Sequence, residues 1–458
     1  MRALRWTVMA LVLAFQASIC SAQAPLGSSQ VSLQAGAAKL DITPDKKDWP
    51  PHIEGVLDPV HVRALVLDDG KTRAAMVTVD SVALTTESWD HITAAAEREL
   101  HIPRKQFLLS ASHSHSAFFK GEAFEKQVLT ALREAAVKLE PATVSYGTGR
   151  SYINVNRNMV DKQSHQWREG PNYDGPSDKT VAVLRFSNID GTPIAVYYNY
   201  AVHGVVTGML DQFSGDIPGV TSDYIENALG DDAVALWSMG AAGDQNPIFF
   251  QQTYDLRAIR VANFAKKGED ISNSMPPGGQ GLNKNNPVIA KLFDQQKQMV
   301  NTYGQMLGEE VLHVLRANME RPQASADLEG VQESVTCPGR TRTDSGRAGH
   351  PGTYVDGKPV DIRLGVLRIG DTIIGAVDAE LFTMIGQRFK RESPYKHTIL
   401  ATLTNGASSS GYIPDEAAFG YNTFEVLSSK VKPGCAEGAI VNGLLDLINE
   451  TDQMERAD

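Results

Sequence analysis

Apolar residues fall into short runs along most of this chain, separated by turn-forming residues. The runs are Ala74–Val79, Phe107–Ser112, Ala142–Tyr146, Thr180–Phe186, Ile194–Val202, Ala233–Met239, Ile362–Ile369, Thr372–Val377 and Thr398–Thr404. Most are rich in Val, Ile and Tyr, and that pattern predicts strands. Helical spacing lies between them. In Gly121–Glu140, Phe124, Val128, Leu132, Ala135 and Leu139 recur at three- and four-residue steps. Asn286-Pro287 opens a long helix to about Asn318, with Pro where a first turn tolerates it. A closing helix over Ala436–Asn449 follows Pro433-Gly434. Strands interleaved with helices predict an α/β protein, a sheet core with flanking helices. Residues 251–285 show little periodic apolar pattern and read as an exposed insertion.

Composition narrows the class. The chain has 458 residues, 42% hydrophobic and 21% charged, which excludes disorder and coiled coil as the main state. The net charge is −11 with no basic run, so nucleic acid is a poor partner. Arg2 and Arg5, the apolar stretch to Phe15 and Ala22-Gln23-Ala24 read as a signal peptide over residues 1–24, cleaved near Ala24. A secreted or periplasmic location follows. Two of the three cysteines, Cys337 and Cys435, remain after cleavage. An oxidising compartment allows a bridge between them; two buried thiols are the alternative.

Candidate chemistry sits at the ends of the predicted strands. Ser110-Ala111-Ser112-His113-Ser114-His115-Ser116 follows Phe107–Leu109. In a strand, residues two apart share a face, so His113 and His115 are expected to project together, as a Zn²⁺ site requires. Two hydrogen-bonded histidines would give the same spacing. His203-Gly204 ends a second run, and Gly243-Asp244-Gln245-Asn246-Pro247 follows a third. Asp378-Ala379-Glu380 and Gly411-Tyr412-Ile413-Pro414 follow two more. Each has a bland alternative: a structural His, a turn, a helix cap, a packed Tyr. Together they place polar groups at one edge of an α/β scaffold, where active sites form.

In this order the motifs resemble those of the neutral, non-lysosomal ceramidase family. The family's S-x-T-H-T-H-S segment resembles Ser110–Ser116, and its A-V-H-G matches Ala201–Gly204. Its P-G-E-x-T-T-M-x-G-R-R resembles the segment from Asp378 to Arg388, and its G-x-A-D-I-T-G-P opening resembles Ala35–Pro44. The resemblance implies that His113, His203, Glu380 and Tyr412 hold Zn²⁺. It places His115 beside the metal as acid or base, with Arg157 and Tyr421 lining the site. The family's catalytic Ser in G-D-V-S-P-N is replaced by Asn246, which cannot form an acyl-enzyme but can orient a carbonyl or donate to an oxyanion. The family's C-terminal immunoglobulin-like domain is missing here, so residues 32–458 read as one catalytic domain.

Two metal-hydrolase patterns compare poorly. The amidohydrolase barrel needs H-x-H on its first strand, and the metallo-β-lactamase needs H-x-H-x-D-H, where this chain has Ser116-Ala117-Phe118 after His115. The ceramidase resemblance implies hydrolysis of an amide in a small N-acyl, lipid-like substrate by a zinc-activated water, with transient contact with a lipid surface. A secreted lipid- or glycan-binding protein that retains the fold is the alternative.

Overall fold

The computed structural model describes residues 32–230, 232–271 and 275–455. The signal-peptide expectation lies outside them. Among the described residues, eight α-helices appear in chain order: α1 Thr86–Leu100, α2 Glu122–Val137, α3 Asp216–Leu229, α4 Gln251–Ala265, α5 Pro287–Ala317, α6 Thr383–Glu392, α7 Phe424–Ser428 and α8 Ala436–Glu455. An eight-stranded mixed sheet and a four-stranded sheet carry the core.

The strand His61–Asp68 explains how the layers stack. Successive side chains point to opposite faces, and both faces of this strand are buried. Val62, Ala64 and Val66 pack with Trp89 and Ile92 of α1, Val128 of α2 and Val311 of α5. Leu65 and Leu67 pack instead with Leu367, Ile374 and Ile399 of the smaller sheet. That sheet's other face meets Ile385 and Phe389 of α6 and Ile440 and Leu444 of α8. The order is helices, large sheet, small sheet, helices. The α/β expectation holds, with a second sheet packed face to face on the first.

All nine predicted strands occur, eight of them with shifted ends and Thr372–Val377 as expected. Phe107–Ala111, Pro193–Tyr200 and Val234–Met239 belong to the large sheet; Thr372–Val377 and His397–Ala401 belong to the small one. Parallel pairing of 193–200 with 234–239, and of 372–377 with 397–401, brings their C-terminal ends to one side. Bridges Ser110↔Thr404 and Met239↔Thr402 tie the two sheets together there. Residues 251–265 differ from the expected exposed insertion. They form α4, with Thr253, Leu256 and Arg260 buried, and Gln296 of α5 donates to Thr253 Oγ1 at 2.9 Å. Two of those three inward residues are polar, which hides the periodicity. Cys337 and Cys435 form a disulfide.

Candidate active site

Five chain segments meet at the joined strand ends. His113 and His115 converge, but not through the pleat of a strand. The strand stops at Ala111, and His113 takes a left-handed φ of 66°. That conformation is costly for a residue with a Cβ and collects at functional sites. The turn is held by a parallel bridge, Ser114↔Gly204, with His115 N–H donating to Gly204 O at 2.9 Å. A Cβ on Gly204 would stand 3.0 Å from His113 O, so Gly lets the two histidine segments touch. Glu380 and Tyr412 are direct partners in a short parallel bridge, which sets them side by side.

Hydrogen bonding fixes which imidazole nitrogens face inward. Val82 O accepts from His113 Nδ1 at 2.7 Å, and Gln245 O accepts from His203 Nδ1 at 3.0 Å. A carbonyl can only accept, so each neutral ring carries its proton on Nδ1 and presents a bare Nε2. Burial, with Arg157 and His113 nearby, lowers the His203 pKa to about 3, which keeps that ring neutral. Both Nε2 atoms lie 3.2 Å from Glu380 Oε2. Burial opposes ionisation of Glu380, and His113 and His203 hold the carboxyl well below its ordinary range by charge and hydrogen bonding only where a ring carries a proton on Nε2. Oε2 is buried and has no hydrogen-bond partner. Two lone pairs thus face a carboxylate oxygen with no proton between them. A divalent cation resolves that conflict, and two imidazoles, a carboxylate and a phenol are ligands that Zn²⁺ accepts. Tyr412 Oη is 3.5 Å from His203 Nε2.

His115 stands next to this group. Its Nε2 is 3.3 Å from His113 Nε2, and the ligand atoms of His113, His115 and His203 lie within 4.8 Å of one another. The residue is exposed on the wall of an open cavity. Desolvation inside the cavity is the main cause that pushes its pKa well below 6.5, so it is a neutral proton acceptor and not a group balanced near its usual pKa.

Arg157, on the strand Asn154–Asp161, organises the opposite wall. Its Nε donates to Glu425 Oε1 at 2.6 Å, Nη2 to Gly243 O at 2.7 Å and to Tyr412 Oη at 3.2 Å, and Nη1 to Asn246 Oδ1 at 3.2 Å. Four of its five N–H groups are engaged, leaving one on Nη1. Asn246 has none left. Its Nδ2 donates to Glu169 Oε1 at 2.9 Å and to Tyr254 Oη at 3.2 Å. The expected donation from Asn246 to an oxyanion therefore has no free hydrogen to make it. Tyr421 does not join the cluster either; it stacks on Trp167 with ring centroids 4.0 Å apart. Sequence reading missed Glu425, Glu169, Arg257 and Phe424. Glu425 meets Arg157 across 268 residues and carries no local motif.

A cavity of about 1120 Å³ opens onto His115, Arg157, Asn246 and Tyr412, with Phe119, Phe124, Phe250 and Phe424 on its walls. It is large enough for a lipid-sized amide.

Neutral ceramidase B of Dictyostelium discoideum is 26% identical over 230 residues, covering 43% of this chain and 32% of that protein. The match thus spans about a third of the relative's length. A ceramidase complexed with C2 superposes with a TM-score of 0.68 at 15% identity, covering 93% of this chain and 76% of the other. The chain is a relative of the neutral ceramidases. A neutral ceramidase from Pseudomonas aeruginosa gives a TM-score of 0.66 at 14% identity over 91% of this chain and 74% of its own. At these identities the ceramidase likeness carries the fold. No family model matches the chain.

Proposed function

We propose that this chain is an exported, zinc-dependent hydrolase that cleaves a linear amide in an N-acyl, ceramide-like substrate. The observation that carries the reading is the buried Glu380 Oε2 set 3.2 Å from two bare imidazole nitrogens. His113, His203, Glu380 and Tyr412 would hold Zn²⁺. When bound, the metal supplies a Lewis acid and lowers the pKa of a water from 15.7 to about 7. Neutral His115 accepts the proton from the attacking water and returns it to the leaving nitrogen. The remaining Nη1 hydrogen of Arg157 faces the charge that develops on the acyl oxygen. Tyr421, stacked outside, has no part in this step. Asn246 offers no nucleophile, so no acyl-enzyme forms. The ceramidase relatives support the amide class; the Cys337–Cys435 bridge supports an oxidising compartment. Among the described residues no helix is long and apolar enough to cross a membrane.

Elemental analysis with a panel of N-acyl amides, ceramide included, tests the reading. Close to one Zn²⁺ per chain is expected, and chelation should abolish turnover until zinc returns. Full activity without metal would overturn it. Asn246 in place of Ser favours a second reading, a lipid- or glycan-binding protein; bound zinc with no turnover of any amide would select that one.

A further inference from the structure

The cavity wall formed by α4 is not what a purely aliphatic substrate calls for. Thr253, Arg257 and Arg260 recur at i, i+4 and i+7, and all three face the cavity, one turn beyond Phe250. A guanidinium held away from bulk water needs compensation. Arg260 is 2% exposed, and its partners are backbone carbonyls of Gln280 at 2.6 Å, Pro276 at 2.5 Å and Pro277 at 3.3 Å. The nearest acid that acts on it, Asp211, is itself paired with Lys284 Nζ at 2.7 Å. Arg257 places Nη1 on Glu169, and its side chain, on the cavity wall, is 39% exposed. The other cavity acids, Asp45 and Asp48, are exposed at the rim.

Asn246 joins this wall to the reaction centre. Its side chain bridges Arg157 on one side and Glu169 on the other, and Glu169 holds Arg257. A serine, with one polar atom on a shorter stem, cannot span that gap. The residue that departs from the ceramidase pattern is thus the one that couples the arginine wall to the metal-side arginine. We propose that the cavity selects N-acyl amides whose amine portion bears an anionic group, received by Arg257 with Arg260 behind it. Arginine forks suit carboxylate and phosphate oxygens equally. The inference rests on the amide-hydrolase reading above.

The test compares dodecanamide, N-dodecanoylglycine and N-dodecanoyl-phosphoethanolamine on the zinc-loaded protein, by turnover and by calorimetric binding. An anionic amide should exceed the neutral one at least tenfold in kcat/KM and in affinity. Arg257→Gln should cut that ratio about tenfold or more, the scale of one charge-assisted hydrogen bond, and Arg257→Lys should restore part of it. The carboxylate and phosphate arms identify which anion is preferred. Selective binding lost in Arg257→Gln but with no turnover would keep the inference and defeat the hydrolase reading. Turnover without anion preference, equal ratios in wild type and Arg257→Gln, or no binding of any amide would overturn the inference. Arg260→Gln is a weaker probe because Arg260 also pins residues 276–280, so melting temperatures accompany each variant.

Discussion

At the scale of single residues, His115 and Asn246 separate chemistry from architecture. His115 touches the cavity, and its lowered pKa suits a base. Its replacement by Ala should leave the four proposed ligands in place, so the purified variant should retain its metal while turnover falls about 10²–10⁴-fold. Loss of zinc in His115→Ala would make it a ligand, which the 4.8 Å grouping of three imidazoles permits. Asn246→Ser should not restore a ceramidase. The change removes three hydrogen bonds from a residue that is 1% exposed and leaves Arg157 and Glu169 without their bridge. A loss of about 1–3 kcal/mol in denaturant unfolding is expected, with no burst of first product on ceramide. Unchanged stability, or a burst, would show that the bridge has no energetic role.

Among the elements, legibility followed the type of residue on the buried face. Helix α2 buries apolar residues at regular steps and was readable from spacing, whereas α5 was marked by Asn286-Pro287 at its start and α8 by the preceding Pro433-Gly434. Helix α1 buries Trp89, Ile92, Ala95 and Ala96, where two small residues weaken the signal. Helix α3 carries Pro218 and Gly219 in its first turn, residues that read as a turn. The strand His61–Asp68 was missed because Arg63 sits within it, neutralised by Asp80, Asp223 and Glu226 from distant segments. The site histidines were legible as motifs, but their convergence comes from the His113 turn against Gly204 and not from strand pleat. That contact gives a test at this scale. Gly204→Ala puts a Cβ 3.0 Å from His113 O and 3.3 Å from its carbonyl carbon, both backbone atoms that cannot rotate away. Overpacking of about 1–3 kcal/mol is expected, along with weaker zinc retention against a chelator, because both ligand segments must part. Wild-type metal affinity in Gly204→Ala would mean that the segments tolerate separation.

For the whole molecule, the four layers place the disulfide and the site in different parts of the fold. Cys337 lies on the long strand Leu328–Arg342, and Cys435 immediately precedes α8. The bridge fastens the outer helix layer to the small sheet, whereas the cavity opens between the large sheet's strand ends and α4. A closed loop with a sequence separation of 98 corresponds to about 4–5 kcal/mol in the loop-entropy account of disulfides. The core beneath α8 remains without it: Ile440, Val441, Leu444 and Ile448 are all fully buried. Reduction, or a Cys337→Ala and Cys435→Ala double variant, should therefore lower the melting temperature while the folded protein keeps its zinc and its turnover. Loss of metal at temperatures where the reduced protein is still folded would mean that the small sheet moves as α8 loosens. Glu380 follows that sheet's strand Thr372–Val377 and Tyr412 lies beyond His397–Ala401, so both proposed ligands would move with it. His113 and His203, in the segments that follow the large sheet's strands Phe107–Ala111 and Pro193–Tyr200, would stay behind. Metal release without unfolding would then report the two sheets parting at the bridges Ser110↔Thr404 and Met239↔Thr402.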